Sequence, residues 1–266
     1  MTEDSNDDTT ILQMYDDIKD DYLIQMQNIH EKWDYYTDLD KTRFKGGFSI
    51  LHMNVRSMKN KVDEIQNCIT RSDIQWDIIC ISETWLKDDI VKYYQMDNYN
   101  LFASCRPVGE GGGTAIYVHT KHEVEERKDL ESVEFETNFV QIKINIKSEV
   151  RNILVGEIYR PPNYASTNFL SYMEKVLDTI EKEKRVAIIA GDFNYNLLSA
   201  NQSKCNNDFS NLMISYGFFP MISKATRKQR QTEALLDNIF VNNPSLYLIS
   251  GIFVEDLSDH LPIFYH

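Results

Sequence analysis

The segment Ala187-Ile188-Ile189-Ala190-Gly191-Asp192-Phe193-Asn194 places an acid and an amide directly after a short apolar run. The run reads as a strand covered on both faces, and Gly191 ends it by releasing the backbone into a turn. If extended geometry continues through Phe193, Asp192 and Asn194 point the same way while the ring points into the core. Such a pair is half of a metal or phosphate site. It is also the composition of an ordinary turn, because Asp and Asn bond their own backbone. Other segments repeat the pattern: Asn54 follows SILHM, Glu83 follows DIICIS, Tyr159 closes ILVGEI, Asp237 lies in LLDNIF, and Asp259 and His260 stand between EDLS and LPIF. Each is a polar group at the end of an apolar segment, where α/β folds collect their sites. Six such segments are hard to account for by turn chemistry alone.

A glutamate, several Asp and Asn oxygens and one His form a hard-oxygen set suited to Mg²⁺ or Mn²⁺ rather than zinc. Phosphodiester hydrolysis requires an activated water, counter-charge for the phosphorane oxygens and help for the leaving alkoxide, all of which these residue types supply. His260 alone also reads as a structural or surface histidine; Asp259 beside it and Asp237 as an orienting partner favour catalysis. Tyr159, before Arg160-Pro161-Pro162, reads equally as a core tyrosine closing a strand. Gly111 to Gly113 read as a flexible turn and lack the spacing of a P-loop or dinucleotide fingerprint. There is no GxSxG elbow and no Cys-His nucleophile pair.

The elements that must position these residues are short apolar strands. Candidates cover residues 48–55, 77–82, 100–105, 114–119, 139–146, 152–159, 186–191, 235–241, 246–254 and 261–266, with helix-spaced apolar residues at 57–70, 166–182 and 207–216. Continuous runs such as AIIAG alternate with half-buried ones such as FVQIKINI. The mixture predicts sheets packed on one another with helices outside. Residues 1–45 form a separate acidic extension ahead of a domain at 46–266. Ile11, Tyr15, Ile18, Tyr22, Met26, Ile29 and Trp33 line one face of a helix there. Three readings remain for that segment: a partner-binding helix, a helix lying on the domain, or a largely disordered acidic stretch.

Net charge is −13, which opposes binding to a polyanion, but residues 1–45 hold 12 acids against 5 bases and so carry −7 of it. A site for a divalent cation also needs carboxylates, and the ion reverses the local sign. No long apolar run spans a membrane, and the acidic N-terminus is unlike a secretory or transit signal, so an intracellular protein is expected. Cys68, Cys80, Cys105 and Cys205 include no CxxC pair and read as reduced thiols.

Taken together, ILHMNVRSM, ISETWL, GGGTAIYV, GEIYRPP, AGDFNYNLL, ATR, LLDNIF and SDHLPI resemble, in order over residues 47–266, the endonuclease/exonuclease/phosphatase superfamily. Within it they look like the apurinic-endonuclease-like domain of non-LTR (LINE-type) retrotransposons. The resemblance implies an α/β (α+β) four-layer sandwich, two mixed sheets face to face with helices outside. It implies Glu83 as main metal ligand, with Asn54 and Asp259 nearby, and Mg²⁺ or Mn²⁺ as cofactor. Asp192 would activate water, Asn194 would hold the water or the phosphate, and His260, oriented by Asp237, would stabilise the pentacovalent phosphate. Tyr159 would assist phosphate binding or the leaving group, Thr226 would contact phosphate, and Arg227 would add charge in a DNA-facing loop.

The implied activity is nicking of DNA to leave a 3′-hydroxyl that a linked reverse transcriptase uses as primer, which implies a nuclear location. Rival readings are a phosphomonoesterase or phospholipid diesterase on the same scaffold and a truncated, non-catalytic element product. LLDNIF lacks the Cys-Asp-Arg run of inositol phosphatases. Asn196 replaces an acid common in the family, a change expected to affect loop packing. No reverse transcriptase follows within the 266 residues, and the final strand ends near His266, so a poorly sealed sheet edge is expected.

Overall fold

The structure, a computed structural model, describes residues 35–44, 47–132, 134–146, 149–198, 204–229, 232–243 and 249–266. The helix read at 11–33 lies outside them. The compact unit that carries the site is Asp34–His266, so a strand ahead of the boundary read at 46 belongs to it.

The strands are β1 (Tyr35–Tyr36), β2 (Ile50–Asn54), β3 (Ile78–Ser82), β4 (Tyr99–Ser104), β5 (Thr114–His119), β6 (Glu123–Glu126), β7 (Glu136–Ile146), β8 (Glu149–Tyr159), β9 (Val186–Asp192), β10 (Phe219–Pro220), β11 (Arg227–Gln229), β12 (Thr232–Ala234), β13 (Asp237–Val241), β14 (Ser250–Phe253) and β15 (Ile263–Tyr265). The helices are α1 (Val62–Arg71), α2 (Ser166–Lys182) and α3 (Lys204–Ser215). One sheet has the order β1-β14-β15-β2-β3-β5-β4, the other β10-β13-β9-β8-β7-β6, and β11 and β12 form a separate hairpin. Both large sheets are mixed: β2 and β3 pair in parallel, as do β8 and β9, between antiparallel neighbours.

Strand alternation divides the apolar residues into three cores. Ile50, Ile78, Cys80, Ile116, Val118, Val140, Ile142, Val155, Ile188, Ala190, Ile239 and Val241 face one another between the sheets. The intervening residues Leu51, Met53, Ile79 and Ile81 pack under α1 with Ile65 and Cys68. On the other sheet Leu154, Ile158, Ala187, Ile189 and Phe240 pack under α2 and α3, against Phe169, Met173, Leu177 and Phe209. This is the expected four-layer sandwich of two mixed sheets between helices.

Several expectations change. β15 is not an edge: it pairs with both β14 and β2, and Ile249 and His266 exchange backbone hydrogen bonds. The last strand is therefore sealed on both sides. β6 and the β11–β12 hairpin were not foreseen because their charged sequences carry no apolar periodicity, a common property of edge strands. α1 starts five residues later than read, because Arg56, Ser57 and Asn60 adopt left-handed φ. Among the described residues no helix is long and apolar enough to cross a membrane.

Asp77, just before β3, is the main polar anchor away from the site. Its carboxylate accepts from the Ser49 amide and hydroxyl and pairs with His122 and Lys121. Burial opposes its charge, but His122, Lys121 and the Ser49 amide outweigh burial and hold its pKa at about 2. With the folded value below the unfolded one, this contribution is complete above about pH 4 and lost as pH falls toward 2. Asp77→Asn should lower stability at pH 7 by about 2 kcal/mol and make acid unfolding shallower, as read by chemical denaturation across pH 2–7.

Candidate active site

At one end of the inter-sheet core the inward positions turn polar. The series Ile50-His52-Asn54, Val155-Glu157-Tyr159, Ile188-Ala190-Asp192 and Val241-Ile239-Asp237 each end on a group able to do chemistry. Register then brings them level: Asp192 is paired with Tyr159 on one side and Asp237 on the other, and Asn54 with Ser82, one residue before Glu83.

Asn54 is central. Its Nδ2 donates to Glu83 Oε1 at 3.0 Å and to Asp192 Oδ2 at 2.8 Å, and its Oδ1 accepts from the Arg56 amide. Glu83 Oε2 accepts from Trp85 Nε1 at 3.2 Å. Asp192 Oδ1 accepts from the Asn194 amide at 3.0 Å. That bond is an Asx turn, so the turn and the site at GDFN are one structure. Asn194 does not lie parallel to Asp192: its φ of 50° ends the strand, and its Nδ2 turns to the Arg160 carbonyl at 2.8 Å. Phe193 enters the core under α3, as alternation requires.

His260 Nδ1 meets Asp237 Oδ2 at 2.8 Å, which leaves Nε2 to face outward. Thr226 Oγ1 donates to the same Asp237 oxygen at 2.7 Å and accepts from the Leu236 and Asp237 amides. It is fully buried and holds Asp237 in place. Asp259 faces two guanidinium groups, Arg56 Nη1 at 3.0 Å and Arg227 Nε at 2.8 Å, and these pairs keep its pKa low against burial. Tyr159 is buried close enough to Glu83, Asp192 and Glu136 that burial and these acids keep its phenol protonated. Asn196, outside the chemistry, accepts from the Leu198 and Leu235 amides and ties the GDFN loop to the segment before β13.

Electrostatics separate the roles. Burial, with Asp237 beside it, raises Asp192 to about 7, the range of a general base. Burial opposes charge on His260, but Asp237 and Asp192 overcome it and raise the imidazole to about 9. Asp237 is held well below the carboxylate range, because His260 and His52 outweigh its burial. His260 therefore carries a proton at neutral pH.

Glu83 and the Asn54 amide are hard donors, and Asp192, Asp237 and His260 bring three ligand atoms within 4.8 Å of one another. The oxygens of this set fit a divalent metal ion. The close cluster is thus built from residues expected to be catalytic, whereas Asp259, expected as a ligand, has both oxygens on arginines.

The backbone around the site is strained. Arg56, Ser57, Glu83, Trp85 and Asn194 all have left-handed φ. Thr84 and Trp85 donate to the carbonyls of Gly113 and Gly112. The glycine run expected to be flexible is instead bonded in place as a mount for Glu83: Gly113 N donates to Glu136, and a Cβ on Gly112 would collide with that carboxylate. Glu136, His52 and Glu157 escaped the sequence reading. Their inward parity with the Val140 and Val155 faces and with Ile50 was the available signal.

With this geometry in view, the family model for the Endonuclease/Exonuclease/phosphatase family matches residues 51–260. The chain belongs to the endonuclease/exonuclease/phosphatase family. It is accordingly a hydrolase of that superfamily. Similar solved structures include the endonuclease domain of TRAS1, a telomere-specific non-LTR retrotransposon (TM-score 0.63, 18% identity, 83% of this chain and 98% of that one). The Xenopus laevis APE2 catalytic domain (TM-score 0.64, 16% identity, 82% and 91%) and a Bacteroides thetaiotaomicron mannosyl-6-phosphatase (TM-score 0.60, 17% identity, 83% and 99%) share the endonuclease/exonuclease/phosphatase fold. No curated protein sequence matches the chain.

Two outcomes test the site without substrate. Gly112→Ala puts a side chain at φ +66° against Glu136 and should cost about 1–2 kcal/mol in thermal unfolding. Asp192 has a folded pKa above its unfolded one, so its ionisation costs stability that grows as pH rises from about 4 to 7. In EDTA, Asp192→Asn should raise Tm at pH 8 and change it little at pH 4.

Proposed function

We propose that the protein is a Mg²⁺-dependent DNA endonuclease of the non-LTR retrotransposon type, with Mn²⁺ as a substitute ion. The observation that carries this reading is the buried Asp192 beside the Asp237–His260 pair, opposite Glu83 and Asn54. Glu83 and Asn54 would hold the metal, which would supply Lewis-acid charge at the phosphate when bound. Asp192, poised near neutrality between Asn54 and the Asn194 amide, takes the proton of the attacking water. Protonated His260, braced by Asp237, donates from Nε2 to the phosphorane oxygens. Tyr159 donates its phenolic hydrogen to the phosphate or the leaving oxygen. Thr226 supports Asp237, and Asn194 fixes Asp192.

The choice of DNA rests on the rim. Arg56 and Arg227 flank Asp259, and Lys228, paired with Glu233 across the β11–β12 hairpin, extends from the strand that bridges to His260. These cations face the neighbouring phosphates of a polyanion. Resemblance to the TRAS1 endonuclease domain, and to Danio rerio TDP2 solved with a single-strand DNA product (TM-score 0.56, 16% identity, 82% and 98%), supports the same substrate class. The product carries a 3′-hydroxyl suited to priming by a reverse transcriptase, and the site of action is the nucleus.

Purified protein with Mg²⁺ should nick supercoiled plasmid, and EDTA should abolish nicking. Asp192→Ala and His260→Ala should each lower the rate by about 100-fold or more. Nicking should fall steeply with added salt as phosphate contacts are screened. A folded wild type that leaves plasmid intact at low salt but releases phosphate from sugar or inositol phosphates would replace this reading with a phosphomonoesterase.

A further inference from the structure

Asp237 is gripped from both sides. Its Oδ2 is taken by His260 and Thr226, while its Oδ1 faces Nε2 of His52 at 3.4 Å. His52 Nδ1 in turn faces Glu157 Oε2 at 3.1 Å. His52 and Glu157 are wholly buried, with the Cys80 thiol as a further hydrogen-bond neighbour of Glu157. The four side chains make a line, Glu157–His52–Asp237–His260, that runs from the inter-sheet core to the reacting end.

The line crosses the gap between the sheets. His52 projects from β2, whereas Glu157 and Asp237 stand on β8 and β13, on either side of β9. On β9, Ala190 is the register partner of Glu157 and Asp192 that of Asp237, so the two acids stand one inward step apart across that strand. An ionised carboxylate only accepts hydrogen bonds, so an imidazole set between two ionised acids donates from both nitrogens. The reaction scheme above does not use His52 or Glu157, yet a buried acid–imidazole–acid bracket needs a purpose beyond packing, since apolar residues fill the same gap elsewhere.

We propose that His52, braced by Glu157, is a positioning residue for the hydrolysis: it fixes the plane of the Asp237 carboxylate so that His260 is aimed at the phosphate. The inference rests on the hydrolytic reading of the Asp192–Asp237–His260 site. It assigns a role to two residues outside that site.

The test is ¹H–¹⁵N NMR of the full chain in EDTA at pH 7, paired with kinetics on bis-p-nitrophenyl phosphate and plasmid with Mg²⁺. Two downfield, exchange-protected ring N–H resonances are expected from His52, with Glu157→Gln moving the Nδ1 signal and Asp237→Asn the Nε2 signal. His52→Gln, which keeps one donor, should displace the His260 ring resonances and lower kcat about 10- to 100-fold with KM within about 2-fold. A single His52 ring N–H in the wild type overturns the proposal, as does His52→Gln with wild-type kcat and unmoved His260 signals. If His52→Gln does not fold, the wild-type, Glu157→Gln and Asp237→Asn spectra decide. If the wild type cleaves neither substrate, the hydrolytic reading fails by kinetics, while the spectra still report whether the bracket exists.

Discussion

Three carboxylates are buried in the gap between the sheets, and the site depends on the cations and donors set against them. Glu157, Asp192 and Asp237 come from β8, β9 and β13 of one sheet; Asn54 and His52 come from β2 of the other, and His260 from the loop before β15. An acid buried without a partner costs several kcal/mol. The sheets are therefore tied at this end by charge, in one lateral alignment, and at the other end by interdigitated apolar residues. Apolar packing alone tolerates repacking, whereas a carboxylate facing an imidazole tolerates little displacement.

Rigidity in the loops serves the same end. Glu83 and Trp85 hold left-handed backbone because the Thr84 and Trp85 amides donate to Gly113 and Gly112, and the Ser57 and Met58 amides donate to the carbonyls of Glu83 and Thr84. Strain of this kind persists only where surrounding bonds over-determine it. The acids impose a second cost, since Asp192 is kept near neutrality by burial and by Asp237. A carboxylate that titrates near pH 7 is unfavourable for folding and suitable for taking a proton.

Charge is distributed in keeping with this. The acidic excess is concentrated in residues 1–45, while the acids of the compact unit that matter most face histidines, amides or arginines. Asp259 shows the consequence: between Arg56 and Arg227 it organises a basic rim. The fold hosts nucleases and phosphatases alike, so substrate choice belongs to such rims rather than to the buried acids.

The sequence alone determined the strands that carry the site and the identity of most polar groups at their ends. AIIAG, DIICIS and SILHM each announce a buried strand, and Asp192, Glu83 and Asn54 follow them directly, because apolar runs and the residues that stop them are local properties. The mixture of continuous and half-buried runs also implied sheets packed on one another with helices outside before any pairing was known. Tertiary structure decided which acids meet which donors. Thr226 and Asp237 are eleven residues apart and His52 and Glu157 more than a hundred, and nothing in their spacing says that one hydroxyl holds Asp237 or that one imidazole bridges two carboxylates. Glu136 and Glu157 do not stand out in the sequence because it records a residue's type and not the face opposite it. Their partners were set by strand register and by the packing of one sheet on the other, which join residues that the chain keeps far apart.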